Sequence, residues 1–364
     1  MRRKSMIQRQ GAELLFQTEI EALIKEDKAN GNFVPTNWQM SPRSVLKYIV
    51  GGQVGGLEIT PKYIGANRLV EIAISTLITD RSLLLIGEPG TAKSWLSEHL
   101  TAAINGDSTK VIQGTAGTTE ESIRYSWNYA LLIAKGPSQE ALIKSPIYNA
   151  MESGTIARVE EISRCASEVQ DALISILSEK RLAIPELTTE LPAQKGFSVI
   201  ATANTRDKGV NEMSSALKRR FNIVVLPSPK TLNQEMKIVQ TRIEQLSSSL
   251  ELNSSLPNVD VVEKICTIFR ELREGSTIDN KQKVKQTSSV LSTAEAISLL
   301  ANSMALAGSF GNGKISDYDL AAALQGAIVK DDKSDSVIWT EYLQNVMRKR
   351  NDWQQLYTEC KKLN

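Results

Sequence analysis

Ser82-Leu83-Leu84-Leu85-Ile86-Gly87-Glu88-Pro89-Gly90-Thr91-Ala92-Lys93-Ser94 is the stretch on which the fold turns. Its first five residues form a short, almost wholly apolar run, as a parallel strand buried on both faces requires. Two glycines and a proline then break the run, and a helical stretch follows over about 92–104. A glycine loop between strand and helix turns backbone N–H groups inward around phosphate oxygens, and the helix N-terminus adds its dipole. Lys93 is spaced to reach β- and γ-phosphates, and the Ser94 hydroxyl to bind Mg²⁺. Ala92 stands where the strict pattern has glycine. It is acceptable if that residue already lies in helical backbone, where a Cβ costs nothing.

Working outward, strand candidates recur at 155–159, 197–203 and 222–226, with a helix over 167–178 after the first. Strand and helix in alternation mean a parallel sheet with right-handed crossovers and helices on its faces. Pro227 and Pro229 mark a boundary. Beyond them the apolar spacing is helical, over 231–250, 261–271, 293–307 and 317–328, with a last helix over 337–356 and polar connectors at 253–258 and 275–289. Before the sheet, helices are expected over 7–26 and 44–50. The division expected is an N-terminal helical extension (1–55), an α/β nucleotide-binding domain (56–228), an all-helical lid (229–330) and a C-terminal helical tail (331–364).

A phosphate loop needs a carboxylate for the metal and a group to orient the attacking water, both at the end of a nearby strand. Thr155-Ile156-Ala157-Arg158-Val159-Glu160-Glu161 offers them: Glu160 for the Mg²⁺ shell and Glu161 for the water. Neighbours on a strand face opposite ways, so the two can take separate roles. Arg158 interrupts the apolar pattern on the same face as Glu160, where it can pair with that carboxylate. The strand over 197–203 runs into Asn204, an amide that can hold the water or touch the γ-phosphate. A helix over 212–221 ends Leu217-Lys218-Arg219-Arg220-Phe221. Three cations there complement the helix dipole, and Arg219 or Arg220 is also a candidate arginine finger acting on a neighbouring subunit.

With 364 residues, 41% hydrophobic and 23% charged, the chain has an ordinary globular balance and length for two packed domains. A net charge of +2 gives no global case for nucleic acid. Cys165, Cys266 and Cys360 lie far apart and read as reduced thiols. The lone His99 suits a packing or surface role better than a metal site. No apolar run approaches the ~20 residues that span a bilayer, and the basic start Met1-Arg2-Arg3-Lys4 is followed by no signal-like apolar segment. A cytoplasmic protein without a membrane role is expected.

With these motifs in this order the chain resembles AAA+ ATPases, and more closely the MoxR family, over roughly 59–328. Gly87–Ser94, Ser145-Pro146-Ile147-Tyr148-Asn149-Ala150-Met151, Val169-Gln170-Asp171-Ala172-Leu173, Ala201-Thr202-Ala203-Asn204 and the Leu-Lys-Arg-Arg-Phe ending carry the resemblance. Alanine before the loop lysine is common in that family. The resemblance implies a P-loop domain with a five-stranded parallel sheet, a small helical lid, a homo-oligomeric hexameric ring, and nucleotide held between subunits. ATP is then preferred over GTP. Ile64, Gly65 and Trp95 join Gly87, Glu88, Pro89, Gly90, Thr91, Ala92, Lys93 and Ser94 in the expected nucleotide-binding set. It further implies two insertions, matching 119–135 and 181–196, and partners carrying a von Willebrand A domain. The chain departs from the pattern at Ser292-Thr293-Ala294-Glu295, where the lid arginine that senses the γ-phosphate is missing.

Within the first insertion Tyr125, Trp127 and Tyr129 alternate, so a strand sets three rings on one face. Core packing of a hairpin is the first expectation, and a working surface the second. The leading functional reading is an ATP-hydrolysing ring that remodels a partner protein. A nucleotide-gated scaffold with weak or no hydrolysis and a DNA-acting motor are the alternatives.

Overall fold

Five short segments rich in β-branched and other apolar residues assemble into one sheet, in the order Phe221–Leu226, Ser82–Gly87, Ser198–Asn204, Ile156–Glu160, Val111–Gln113. Every neighbouring pair is parallel, so the expected five-stranded parallel sheet is present. The structure, a computed structural model, describes residues 9–205, 213–288, 290–330 and 333–363. The Met1–Lys4 start, Ile7 and Glu212 therefore lie outside the described residues. Packing divides the chain into two units. The first runs to Glu88 and from Ala92 to Leu226; the second begins at Pro227, and Pro89–Thr91 groups with it.

The loop strand Ser82–Gly87 has a partner on each side and helices over both faces. Leu83, Leu84 and Leu85 are fully buried accordingly, each contributing about 1.5–3 kcal/mol of transfer free energy. The edge strand Val111–Gln113 was not expected. With three residues and a single inward side chain, Ile112, it carries almost no pattern to read. Strands expected at 155–159 and 197–203 each lie one residue later, and the one expected at 222–226 starts one residue earlier, with Phe221 buried where a helix end was expected. The helix expected over 212–221 is a single turn, Ser215–Lys218, in its described part, and Arg219 and Arg220 form the turn after it.

The residues set apart as an N-terminal extension form helices Ala12–Leu15, Gln17–Asn30 and Pro42–Val50, then a hairpin of Gly52–Val54 with Leu57–Ile59. Ser41 caps the third helix by accepting from the Ser44 N–H, with Pro42 in the first turn. The buried Asp27 carboxylate accepts from the Ser41 N–H and from the Ser41 and Ser44 hydroxyls, tying one helix to the start of the next. Ile20, Leu23, Tyr48 and Ile49 share one apolar core with Leu83, Leu85 and Leu100. They cover the sheet rather than extend from it. His99 is buried there, with Nδ1 2.8 Å from the Tyr48 hydroxyl. All three cysteines are buried, and none is joined in a disulfide.

Two antiparallel hairpins interrupt the α/β alternation. Tyr125–Trp127 pairs with Leu142–Lys144, and Arg181–Ile184 with Thr189–Pro192. Tyr125 is buried, packs edge-on against Trp127 and donates its hydroxyl to Glu186 at 2.7 Å, which fastens the hairpins together. Tyr129 does not share that face. Asn128 caps a helix that begins at Tyr129 and leaves its ring 67% exposed.

The second unit is all helical: Leu232–Leu250, Val259–Glu274, Thr293–Phe310, Asp317–Ile328, Ser334–Asn345 and Gln354–Leu363. The single helix expected over 337–356 is broken. Arg350 adopts extended backbone between two short 3₁₀ turns. From there its guanidinium bonds Glu271 Oε1 at 2.5 Å and lies over the Trp353 ring. Glu271 Oε2 accepts from the Tyr342 hydroxyl at 2.5 Å. Residues of the expected tail (Trp339, Leu343, Met347, Leu356) share one core with Val262, Leu299 and Leu320 of the expected lid. Among the described residues no helix is long and apolar enough to cross a membrane.

The buried Glu271 carboxylate makes a prediction for this unit. Arg350→Ala strands that charge and should cost about 3–5 kcal/mol, read as a lower denaturation midpoint in urea. Arg348→Ala, at an exposed position, should cost less than about 0.5 kcal/mol.

Candidate functional site

In an open parallel sheet, ligands bind beyond the carboxyl ends of the strands. Register brings three strand ends to that edge, the acidic one two residues short of the other two. Asn204 pairs with Gly87, and Ala201 with Val159, which sets Thr202 beside Glu160. Trailing from Gly87, the loop turns with positive φ at Gly90 (78°) and Ala92 (65°), and the helix Lys93–Asn105 starts at once. Ala92 is thus not in helical backbone, as its tolerance was expected to require. It caps the helix in the left-handed region, at a cost of about 1–2 kcal/mol for a residue with a Cβ. The first-turn N–H groups of the helix are directed toward the loop, the arrangement that receives phosphate.

Lys93 is buried, and its ammonium donates to the Gly87 and Glu88 carbonyls at 3.0 and 2.8 Å. The Ser94 hydroxyl donates to Glu160 Oε2 at 2.6 Å. Glu160 is the centre of the site. It is 3% exposed, and its two oxygens also accept from the Ser97 hydroxyl (2.5 Å), the Thr202 hydroxyl (2.7 Å) and Arg158 Nη2 (2.8 Å). Burial alone raises a carboxyl group's pKa. The Arg158 charge and the Ser94, Ser97 and Thr202 hydroxyls together outweigh it and hold Glu160 below its ordinary 4.5.

Glu161 separates from Glu160 by a different route than strand alternation. The strand ends at Glu160, and Glu161 takes left-handed backbone (φ 53°, ψ 45°) to open the turn Ile162–Arg164. Its N–H is held by Thr202 Oγ1 at 2.9 Å and its carboxylate pairs with Arg164. Gly114 lies against this turn: its N–H donates to the Glu160 carbonyl at 2.7 Å. A Cβ there would meet the Glu161 carbonyl oxygen at 2.5 Å, so the approach requires glycine.

Asn204 ends its strand beside Gly87, half-buried. Trp95, in the first turn of the loop helix, donates its indole N–H to the Lys62 carbonyl at 3.0 Å, which fixes the segment entering Ile64 and Gly65. The Lys62 ammonium is itself buried, paired with Glu19 and over the Phe16 and Tyr48 rings. Burial pulls it down to about 8 against the opposing pull of Glu19. Arg219 and Arg220 lie away from this edge, just before the start of the Phe221–Leu226 strand.

Structure therefore gathers Lys93, Ser94, Glu160, Glu161 and Asn204 at one edge of the sheet, and keeps the two arginines elsewhere on the chain. Thr202, Ser97 and Gly114 were not singled out from sequence. Thr202 is two residues before Asn204 and Ser97 three after Ser94, spacings that share a strand face and a helix face. Adjacent hydroxyl and carboxylate oxygens from Ser94 and Glu160 suit Mg²⁺, a hard cation that takes one or two protein oxygens and completes its shell with water and phosphate. Among the described residues no group of three or more His, Cys, Asp or Glu side chains converges as an all-protein metal cage would require.

Two predictions follow from this geometry. Ala92→Gly relieves the left-handed backbone and should stabilise the protein by about 1 kcal/mol net of the glycine's extra chain entropy, seen as a rise in Tm. Glu160, held below 4.5, contributes stability that is full above 4.5 and is lost as pH falls through its folded value. Tm should therefore fall on acidification below that range, and fall less steeply in Glu160→Gln.

The profile of the AAA domain (dynein-related subfamily) matches residues 82–221. That of the YehL-like AAA+ ATPase C-terminal domain matches 233–364. The chain is 39% identical to YehL of Escherichia coli K12 over 356 residues, 96% of each chain. It is 24% identical to YojN of Bacillus subtilis 168 over 201 residues, 55% of this chain and 61% of that one. The crystal structure of NtrX from Brucella abortus in complex with ADP aligns with a TM-score of 0.49 at 12% identity, covering 82% of this chain and 67% of that one. Near-complete coverage of YehL, with both halves matched in order, means that this chain belongs to the YehL-like AAA+ ATPase family.

Proposed function

We propose that the chain binds Mg²⁺·ATP on the Gly87–Ser94 loop, hydrolyses it as a subunit of a hexameric ring, and uses the cycle to remodel a partner protein. The register that draws Lys93, Ser94, Glu160, Glu161 and Asn204 to one sheet edge is the observation that carries this reading. Lys93 gives up its carbonyl partners to neutralise β- and γ-phosphate oxygens. Ser94 and Glu160 would hold Mg²⁺, which would supply further charge neutralisation for the bound phosphates. Glu161 orients the attacking water, and Asn204 on the adjacent strand contacts the same water or the γ-phosphate.

An arginine from a neighbouring subunit completes the charge balance of phosphoryl transfer, and the two candidates differ in freedom. Arg220 is occupied on its own subunit, with Nε on Ser178 Oγ at 2.8 Å and Nη1 on the Ala216 carbonyl at 3.1 Å. Arg219 is exposed, and its guanidinium has no partner among the described residues; only its backbone is held, the carbonyl by Arg81 at 2.8 Å and the N–H by the Ser215 carbonyl at 3.2 Å. Arg219 is therefore assigned as the finger.

The two hairpins at Tyr125–Lys144 and Arg181–Pro192 overlap the insertions at 119–135 and 181–196 that the resemblance to MoxR-like rings implies. They support a MoxR-like role beside a partner with a von Willebrand A domain. A net charge of +2 lends no support to a nucleic-acid track. One observation favours the alternative of a nucleotide-gated scaffold: the Glu161 carboxylate is paired with Arg164, and hydrolysis requires it to turn away from that partner.

Glu161→Gln should lower turnover by about 10²–10³-fold while leaving ATP binding intact. Unchanged turnover would remove Glu161 from its role, and a wild-type protein that binds ATP without turnover would leave the scaffold. Arg219→Ala should lower turnover by about 10³-fold and Arg220→Ala by far less, measured by phosphate release at equal assembly.

A further inference from the structure

A strand residue facing the sheet-covering helix is ordinarily apolar, and a buried guanidinium there costs several kcal/mol of desolvation unless fully partnered. Arg158 is 6% exposed in the middle of the acidic strand. It is two residues before Glu160 and shares its face. Its three nitrogens are all engaged: Nη2 with Glu160 Oε1 (2.8 Å) and the Ser94 carbonyl (3.3 Å), Nε with Ser97 Oγ (3.1 Å), Nη1 with the Ser108 carbonyl (3.1 Å). Two of these partners, Glu160 and Ser94, are the residues assigned above to the metal.

We infer that Arg158 is a built-in counter-ion of Glu160 that raises the Mg²⁺ concentration at which the nucleotide site fills. This rests on the reading of Ser94 and Glu160 as the metal side of the site. A dication is attracted to a lone buried carboxylate far more strongly than to one already neutralised by a guanidinium within hydrogen-bond distance. Oxygen Oε1 is shared between Arg158 and Ser97, so a cation drawing on Glu160 competes with a fixed positive charge. In return Arg158 keeps Glu160 ionised and aimed without metal, and through the Ser94 carbonyl it steadies the first turn of the loop helix. Arg158 is a positioning residue: it meets the nucleotide only through Glu160 and Ser94.

The test is binding of fluorescent N-methylanthraniloyl-ADP to the full chain, titrated with MgCl₂. Arg158→Met should shift the Mg²⁺ midpoint about tenfold lower, and Arg158→Lys, whose single ammonium cannot span all four acceptors, should fall between. A purely structural arginine would alter stability but leave the midpoint in place. A folded Arg158→Met with a midpoint at or above that of the wild type overturns the inference. Should Arg158→Met fail to fold in metal-free buffer, recovery on adding Mg²⁺ and ADP supports it; without recovery Arg158→Lys decides by the same criterion. Absence of nucleotide binding by the wild type at any Mg²⁺ concentration would instead sink the nucleotide-site reading itself.

Discussion

The carboxylate of Glu160 is the constraint on which the rest of the first unit depends. Hydroxyls from the loop helix (Ser94, Ser97), a hydroxyl from the neighbouring strand (Thr202) and a guanidinium from its own strand (Arg158) converge on its two oxygens. One buried charge thereby fastens three elements at the edge proposed to receive phosphate. Leaving such a charge unpaired costs about 3–5 kcal/mol, comparable to a large part of a domain's net stability of about 5–15 kcal/mol. The clamp is therefore structural and functional at once.

The same edge carries backbone in unfavoured conformations. Ala92 and Glu161 both have positive φ without being glycine, and each lies next to a residue bound by the clamp: Ala92 before Lys93, Glu161 after Glu160. The Thr202 hydroxyl, which donates to Glu160 and accepts from the Glu161 N–H, holds the second of these turns. Strain concentrated beside a rigid polar centre is how a short segment can aim Lys93 into the loop and turn Glu161 away from Glu160 when regular backbone would direct them elsewhere.

Much of this was legible from residue order. An almost wholly apolar pentapeptide before a glycine loop and Lys-Ser identifies a central parallel strand and its helix, because both faces of that strand must be buried. Acidic and amide strand ends followed from what phosphoryl transfer needs. What escaped detection has physical causes. Val111–Gln113 is too short to show a period, and its place in the sheet comes from pairing with the acidic strand. The break near Arg350 comes from a long-range pull toward Glu271, invisible to local helix spacing. Tyr129 follows a three-residue strand, and the Asn128 cap sends the chain into a helix. Thr202, Ser97 and the partners of Arg158 become significant only once three-dimensional register brings them around Glu160.

A crystal structure of the chain with Mg²⁺ and a non-hydrolysable ATP analogue tests the central claim most directly. The account predicts a γ-phosphate within hydrogen-bond distance of Lys93 Nζ, and the metal about 2.0–2.1 Å from Ser94 Oγ on the Glu160 side of the loop. A triphosphate bound away from Gly87–Ser94, or a metal coordinated with neither Ser94 nor Glu160 near it, would contradict it.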